Sequence, residues 1–331
     1  MAGNETKRVP ASALEAIRGE VRLAGHRRVS HGLFLPHVAG LDREREFFRE
    51  LRAWQLVLPG DAGFTHVTGA EVLGWQLPHL PDRSYLPVFA AVTGDGSRPR
   101  RPGLICSRLV RPANTAVIHG VRVDQPEEIL LRAARDFGLL DLTILIDSAR
   151  HLGHIDPVRI RATMASSRPG VRMLRLGWDM SDSRSESGPE TAMRIFHRAI
   201  GVPVEPQATL TDDSGIVVGQ ADLLIIGTRH LSEYDGDVHR TKEQQRVDLR
   251  RERGLNATDY VRHGYTLDDL LNHPITVMHE IDRMIQRPHR TTRIHRWQRL
   301  VDNSLFSVAG RERILNRWRR VGGILDWSRT A

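Results

Sequence analysis

Apolar and polar residues alternate at two periods along this chain, and the switches between them mark its elements. Residues 11–22 read as a helix, 29–36 as an apolar strand or turn around Gly32, and 42–57 as a polar helix. A helix starts after Phe64, where Thr65 or Thr68 can cap; Ala70, Val72, Leu73 and Leu77 form its apolar stripe and Pro78 stops it. Residues 84–93 and 103–110 read as strands separated by a Gly/Pro-rich turn, and 118–123 as a third, short strand. A helical hairpin follows over 126–153, opened by Pro126 and Glu127 and punctuated by Gly138. The run from 167 to 188, with Ser-Arg-Pro-Gly at one end and a Ser-rich polar stretch at the other, reads as a linker.

Beyond it the pattern is more regular. Residues 189–200 form an amphipathic helix ended by Gly201, 205–211 alternate as a strand, and 212–215 make a tight turn. The apolar run 216–227 is interrupted only by Gly219, Gln220 and Asp222, and 229–234 is a shorter strand ending at Asp235-Gly236. A polar helix over 241–253, stopped by Gly254, precedes a last strand over 259–263. The order α-β-β-β-α-β predicts a mixed sheet flanked by helices, and the whole chain reads as α/β (α+β).

Composition narrows the function classes. With 331 residues, 40% of them hydrophobic, the chain is long enough for about two domains. A single cysteine, Cys106, excludes a disulfide framework and any zinc site built on cysteines of this chain. No apolar run reaches the ~18–20 residues of a membrane span, and the expectation is a cytoplasmic protein. The histidine spacing after His279 does not fit a zincin helix, and neither a phosphate-binding Walker lysine nor a G-x-S-x-G elbow is present.

The formal charge of +8 is unevenly spread, and of the 48 basic residues only Lys7 and Lys242 are lysines. Residues 271–331 hold twelve arginines against five acids, whereas 181–240 hold ten acids against five arginines. An acidic centre beside a basic tail suits a metal-dependent enzyme acting on a polyanion. It equally suits a helical tail that pairs with the acidic patch of its own chain.

The candidate chemistry centres on Asp222 and Glu233. A carboxylate inside an apolar strand costs several kcal/mol unless it is paired or bound to a cation. If 216–227 and 229–234 form a hairpin, Asp222 and Glu233 meet near their ends. Two carboxylates and the Tyr234 backbone carbonyl then make an oxygen-rich site suited to Mg²⁺ or Mn²⁺. Such an ion activates water against a phosphodiester. Gln244, Asp248 and Arg251 share one face of the following helix, pointing toward a metal or a phosphate or forming only a solvated Asp–Arg pair. Glu190, three residues after Ser187, fits a capping box and also an acid directed at the metal site.

The same residues resemble the PD-(D/E)xK superfamily of nucleases, most closely its Vsr-like branch, related to very-short-patch-repair endonucleases. The resemblance covers roughly 184–272 and rests on Glu186 and Glu190, Asp222-Leu223, Glu233-Tyr234-Asp235-Gly236, His239, and Asp248 with Arg251. It implies a restriction-endonuclease-like sheet, with Asp222 and Glu233 holding the metal and Glu190 assisting. Asp235, Gln244 or Lys242 would position water, with His239, Asp248 and Arg251 around them. One departure stands out: the superfamily's third motif usually ends in lysine, and this chain has Asp235 there.

Residues 59–155 resemble the AbiEi-type antitoxin domain through Thr65-His66-Val67-Thr68-Gly69-Ala70 and Leu73-Gly74. The expected organisation is therefore four segments: 1–58, helical or the remnant of a winged helix; 59–178, AbiEi-antitoxin-like; 179–272, Vsr-like; and 273–331, an Arg-rich helical tail. In that tail Arg293, Arg296, Trp297, Arg317 and Trp318 suit phosphate grip and base stacking, or an amphipathic helix whose tryptophans pack on the body. The function expected is a metal-dependent endonuclease acting on DNA. The alternative is a non-catalytic, antitoxin-type DNA-binding regulator on a degenerate nuclease core. A protein partner for the N-terminal domain completes the expectations.

Overall fold

The structure, a computed structural model, describes residues 16–19, 24–80, 86–93, 98–109, 115–236 and 258–321. These residues are a mixture of helices and sheets, and among them no helix is long and apolar enough to cross a membrane. The chain divides into two compact units rather than four consecutive segments. One holds the described residues of Met1–Gly74, Pro81–Arg132 and Ile314–Ala331; the other holds Trp75–Leu80 and the described residues of Ala133–Arg313.

The first unit begins with β1 (Ile17–Arg18), β2 (His26–Ser30) and β3 (Leu33–Pro36), an antiparallel sheet in the order β1-β3-β2. Ile17 and Arg18 are thus strand, not helix: they pair with Phe34 and Leu33, so partner strands override local helix propensity. Helix α1 (Arg43–Gln55) starts where Asp42 accepts the Arg45 N–H at 2.7 Å, and it buries Phe47, Phe48, Leu51 and Trp54 at helical spacing. Then come β4 (Gly63–Phe64), α2 (His66–Val72), β5 (Val88–Val92), β6 (Leu104–Arg108), β7 (Ala116–Ile118), β8 (Val121–Val123) and α3 (Pro126–Ala133). The strands form a mixed five-stranded sheet, β6-β5-β4-β8-β7. Residues 118–123 are two strands, not one. His119 and Gly120, at φ of 48° and 80°, turn the chain between β7 and β8, and two successive positive φ angles suit a two-residue hairpin. The Thr65–Ala70 motif is buried core: His66 stacks on Phe89 at 4.2 Å, and a Cβ at Gly69 would come within 2.8 Å of Ile129 Cδ1.

The second unit carries α4 (Leu139–His151), α5 (Pro157–Ala165), α6 (Val171–Met180) and α7 (Gly188–Ala199). Four strands follow: β9 (Val204–Thr211), β10 (Val217–Ile225), β11 (His230–Tyr234) and β12 (Val261–Tyr265). Helices α8 (Leu267–Asn272), α9 (Pro274–Met284), α10 (His295–Asp302) and α11 (Val308–Arg320) are the remaining α-helices among the described residues, with α11 entering the first unit at Ile314. The stretch 167–188 is no linker, because α6 lies inside it. Val171, Leu174 and Met180 are buried at three- and six-residue intervals, and a Cβ at Gly177 would lie 2.9 Å from Ile146 of α4. The unit's core joins Ala192, Met193, Ile195 and Phe196 of α7 to Leu223 and Ile225 of β10, Tyr265 of β12, Met278 and Ile281 of α9, and Trp297 of α10. Helices α9 and α10 therefore belong to the sheet's own core and are not a separate tail.

Candidate functional site

The sheet of the second unit runs in the order β12-β11-β10-β9. β10 is antiparallel to both β9 and β11, while β12 lies parallel to β11. The hairpin expected from sequence is thus present. Ala208 pairs with Ala221 and Leu223 with Ser232, so the register sets Gln207, Asp222 and Glu233 in one row across three strands. The row continues on β12, where Glu233 pairs with Gly264. Directly opposed residues of an antiparallel pair project from one face, so Asp222 and Glu233 are neighbours there.

Each member is held by specific bonds. Asp222 is half-buried and its Oδ2 accepts the Tyr234 N–H at 2.9 Å. Glu233 is only 3% exposed, and Oε2 meets Nε of Arg262 at 2.5 Å. The same guanidinium reaches Asp235 Oδ1 through Nη2 at 3.1 Å. Gly264, two residues beyond Arg262 on the same face of β12, leaves space for Asp235: a Cβ there would overlap Asp235 Oδ2. Tyr234 pairs with Tyr265 in the parallel ladder.

Glu190 stands in the first turn of α7. Its Oε1 accepts the Ser187 hydroxyl at 2.8 Å, and Oε2 accepts the Glu186 N–H and the Gln207 amide, both at 2.9 Å. Gln207 has the left-handed φ of 50°, unusual for a strand residue without a glycine's freedom. Ser187 caps the helix by accepting the Glu190 N–H at 3.3 Å. The Glu190 carboxylate takes the Ser187 hydroxyl and the Glu186 N–H instead of the Ser187 N–H of a capping box, and Gln207 ties it to the row that contains Asp222.

Two buried groups fix α7 against this sheet and against α4. His197 is fully buried; burial pushes its pKa down to about 4, so the ring is neutral. Nδ1 donates to Met193 O at 2.8 Å, which leaves Nε2 to accept the Ser232 hydroxyl at 3.1 Å, one residue from Glu233. Asp147 of α4 is 1% exposed and accepts Arg194 Nη2 at 2.6 Å and the Thr191 hydroxyl at 2.8 Å.

The remaining expected residues separate into groups. Lys242, Gln244, His239, Asp248 and Arg251 lie outside the described residues. Trp297 and Trp318 do not offer their faces to a base: they are 1% and 0% exposed. Trp297 packs edge-on against Phe196 and donates Nε1–H to Leu270 O at 2.7 Å, while Trp318 packs against His66 and Phe89. Arg293 is not a free phosphate contact either. It meets the buried Asp282 at 3.3 Å, beside Arg287 at 2.5 Å, so part of the basic tail pairs with an acid of its own helical layer. Arg296 and Arg317 are exposed.

Arg262, Gln207, Gly264 and the His197–Ser232 pair were missed by sequence reading. An Arg-x-Gly pattern on one face of the last strand was the available signal for two of them, since it pairs a long cation with an open space.

Among the described residues no group of three His, Cys, Asp or Glu side chains is placed to hold a metal ion. The two facing carboxylates are an incomplete ligand set, and Glu233 already has the Arg262 charge at 2.5 Å. The described residues alone do not fit Mg²⁺ or Mn²⁺. No family model, no curated protein and no solved structure matches the chain.

Proposed function

We propose that the second unit is a nuclease-type core that engages the phosphodiester backbone of DNA, with Asp222 and Glu233 at its centre. The observation that carries this reading is the register placing the two carboxylates opposite each other on adjacent strands. The element order supports it: helix α7, three antiparallel strands, and a fourth strand parallel to the third, as a restriction-endonuclease-like core would have. In its full form the reading is endonucleolytic hydrolysis in the presence of Mg²⁺ or Mn²⁺. Incubation of the protein with supercoiled plasmid and either ion tests it: wild type nicks, and Asp222→Ala and Glu233→Gln do not. Equal nicking by wild type and Asp222→Ala would remove the assignment.

One observation favours a second reading, the non-catalytic antitoxin-type DNA-binding regulator. Glu233 and Asp235 share an arginine, which reduces their net charge without any ion. That reading predicts duplex binding that is salt-sensitive, independent of divalent ions, and retained in Asp222→Ala.

A further inference from the structure

A protein that grips a phosphodiester needs positive charge beside the scissile region, and the strand that carries Glu233 supplies none. Its third-motif position is Asp235, a second acid two residues after Glu233. Two carboxylates on one strand end repel a phosphate. The neighbouring strand answers this. Arg262 of β12 places Nε at 2.5 Å from Glu233 and Nη2 at 3.1 Å from Asp235. Its side chain is 44% exposed, so the guanidinium bridges the acids and still faces solvent.

We propose that Arg262 is the phosphate-facing cation of this centre, carried on the adjacent parallel strand instead of on the strand of Glu233. The inference rests on the reading of the unit as a backbone-binding core, and it adds the residue that meets the phosphate. Three features support it. Arginine carries five N–H donors in a rigid fork, so two acceptors in the protein leave donors for a third. Nη1 has no bond among the described residues. Gly264 leaves space on β12 that Asp235 fills, so Asp235 meets Nη2 while the buried Glu233 holds Nε. Held by Glu233, the guanidinium loses little rotamer freedom when it takes a phosphate oxygen. Asp235, the more exposed of the two acids, competes with the phosphate for Nη2 and weakens the grip.

The test uses the full chain, a short fluorescent DNA duplex and anisotropy titrations over a series of KCl concentrations. Neutralising one phosphate contact reduces the slope of log K against log [salt] by about one. Arg262→Gln is expected to lose that amount of slope, Arg262→Lys to retain it, and Asp235→Asn to bind more tightly than wild type. A melting curve for each variant separates these effects from unfolding, and Asp235→Asn keeps the proposal open to refutation if Arg262→Gln does not fold. An unchanged slope in Arg262→Gln with only a lower Tm would assign Arg262 a structural role and overturn the proposal, as would weaker binding by Asp235→Asn. Plasmid nicking is scored in parallel. Slope loss without nicking refutes the nuclease reading alone, nicking with an unchanged slope refutes the Arg262 assignment alone, and no duplex binding by wild type refutes both.

Discussion

Asp141 opens α4 with its carboxylate wholly buried, both oxygens 3.1 Å from the Leu305 N–H. Burial pushes its pKa up to about 7, against the opposing pull of the Leu305 and Gly138 N–H groups and Arg313. In an unfolded chain an aspartate releases its proton near pH ~4. Between that pH and 7 the folded chain holds a proton that the unfolded chain has lost, so stability falls as pH rises through this window and levels off above it. Asp141→Asn removes that slope. In urea unfolding its destabilisation relative to wild type is expected to be smaller at pH 8 than at pH 4.5, and equal values at both would exclude the assignment. No sequence feature singles out Asp141, which in the chain is one acid in the first turn of a helix. Its burial depends on Asn303 and Leu305, more than 160 residues away. Gly138 belongs to the same junction, since a Cβ there would overlap the Asn303 carbonyl.

Elements were legible where burial produced an unbroken period. Strands β9, β10 and β11 lie within a residue or two of the expected spans, because an alternating strand and a nine-residue apolar strand each have one geometry that buries them. Asp222 and Glu233 were legible for the same reason: a carboxylate inside such a pattern needs a partner. Arg262 was not, because its strand alternates weakly and its partner lies across a parallel ladder that periodicity cannot reveal. Helix α6 was hidden by its borders, since Ser-Arg-Pro-Gly before it and the Ser-rich run after it are punctuation that outweighed a ten-residue stripe. The stripe nevertheless contributes to the core. Leu174 is fully buried, and Leu174→Ala is expected to cost about 2–5 kcal/mol in chemical denaturation, measured on the unit's transition. A cost under about 0.5 kcal/mol would mean that α6 behaves as the surface segment its borders suggest.

For the whole molecule the informative fact is how the chain is apportioned. The first unit draws on three separated stretches, and Trp318 of the last of them is fully buried beside His66 and Phe89. Trp318→Ala therefore removes a large core side chain from that unit, at an expected cost of about 3–5 kcal/mol. Tryptophan fluorescence and a calorimetric melt check it: the transition of the first unit moves down, while that of the second unit is retained. Loss of both together would mean that the two units unfold as one. The arginine-rich region divides along the same line. Arg287 and Arg293 pair with Asp282 inside the second unit, whereas Arg317 is exposed on the helix turn that carries Trp318. A net charge counted over 271–331 merged these roles.

The return of the chain to its first unit also sets an order of events during synthesis. Every residue of Ala133–Arg313 leaves the ribosome before Ile314, Leu315 and Trp318 can join the core begun by β1 to α3. At ~5–20 residues per second that interval is on the order of 10–40 s. Throughout it the contacts that Trp318 makes with Phe89 and the ring of His66 are unmade. Once Arg313 has emerged the second unit is complete while the first still lacks Ile314, Leu315 and Trp318, and a chaperone that shields apolar surface has its longest opportunity on the first unit.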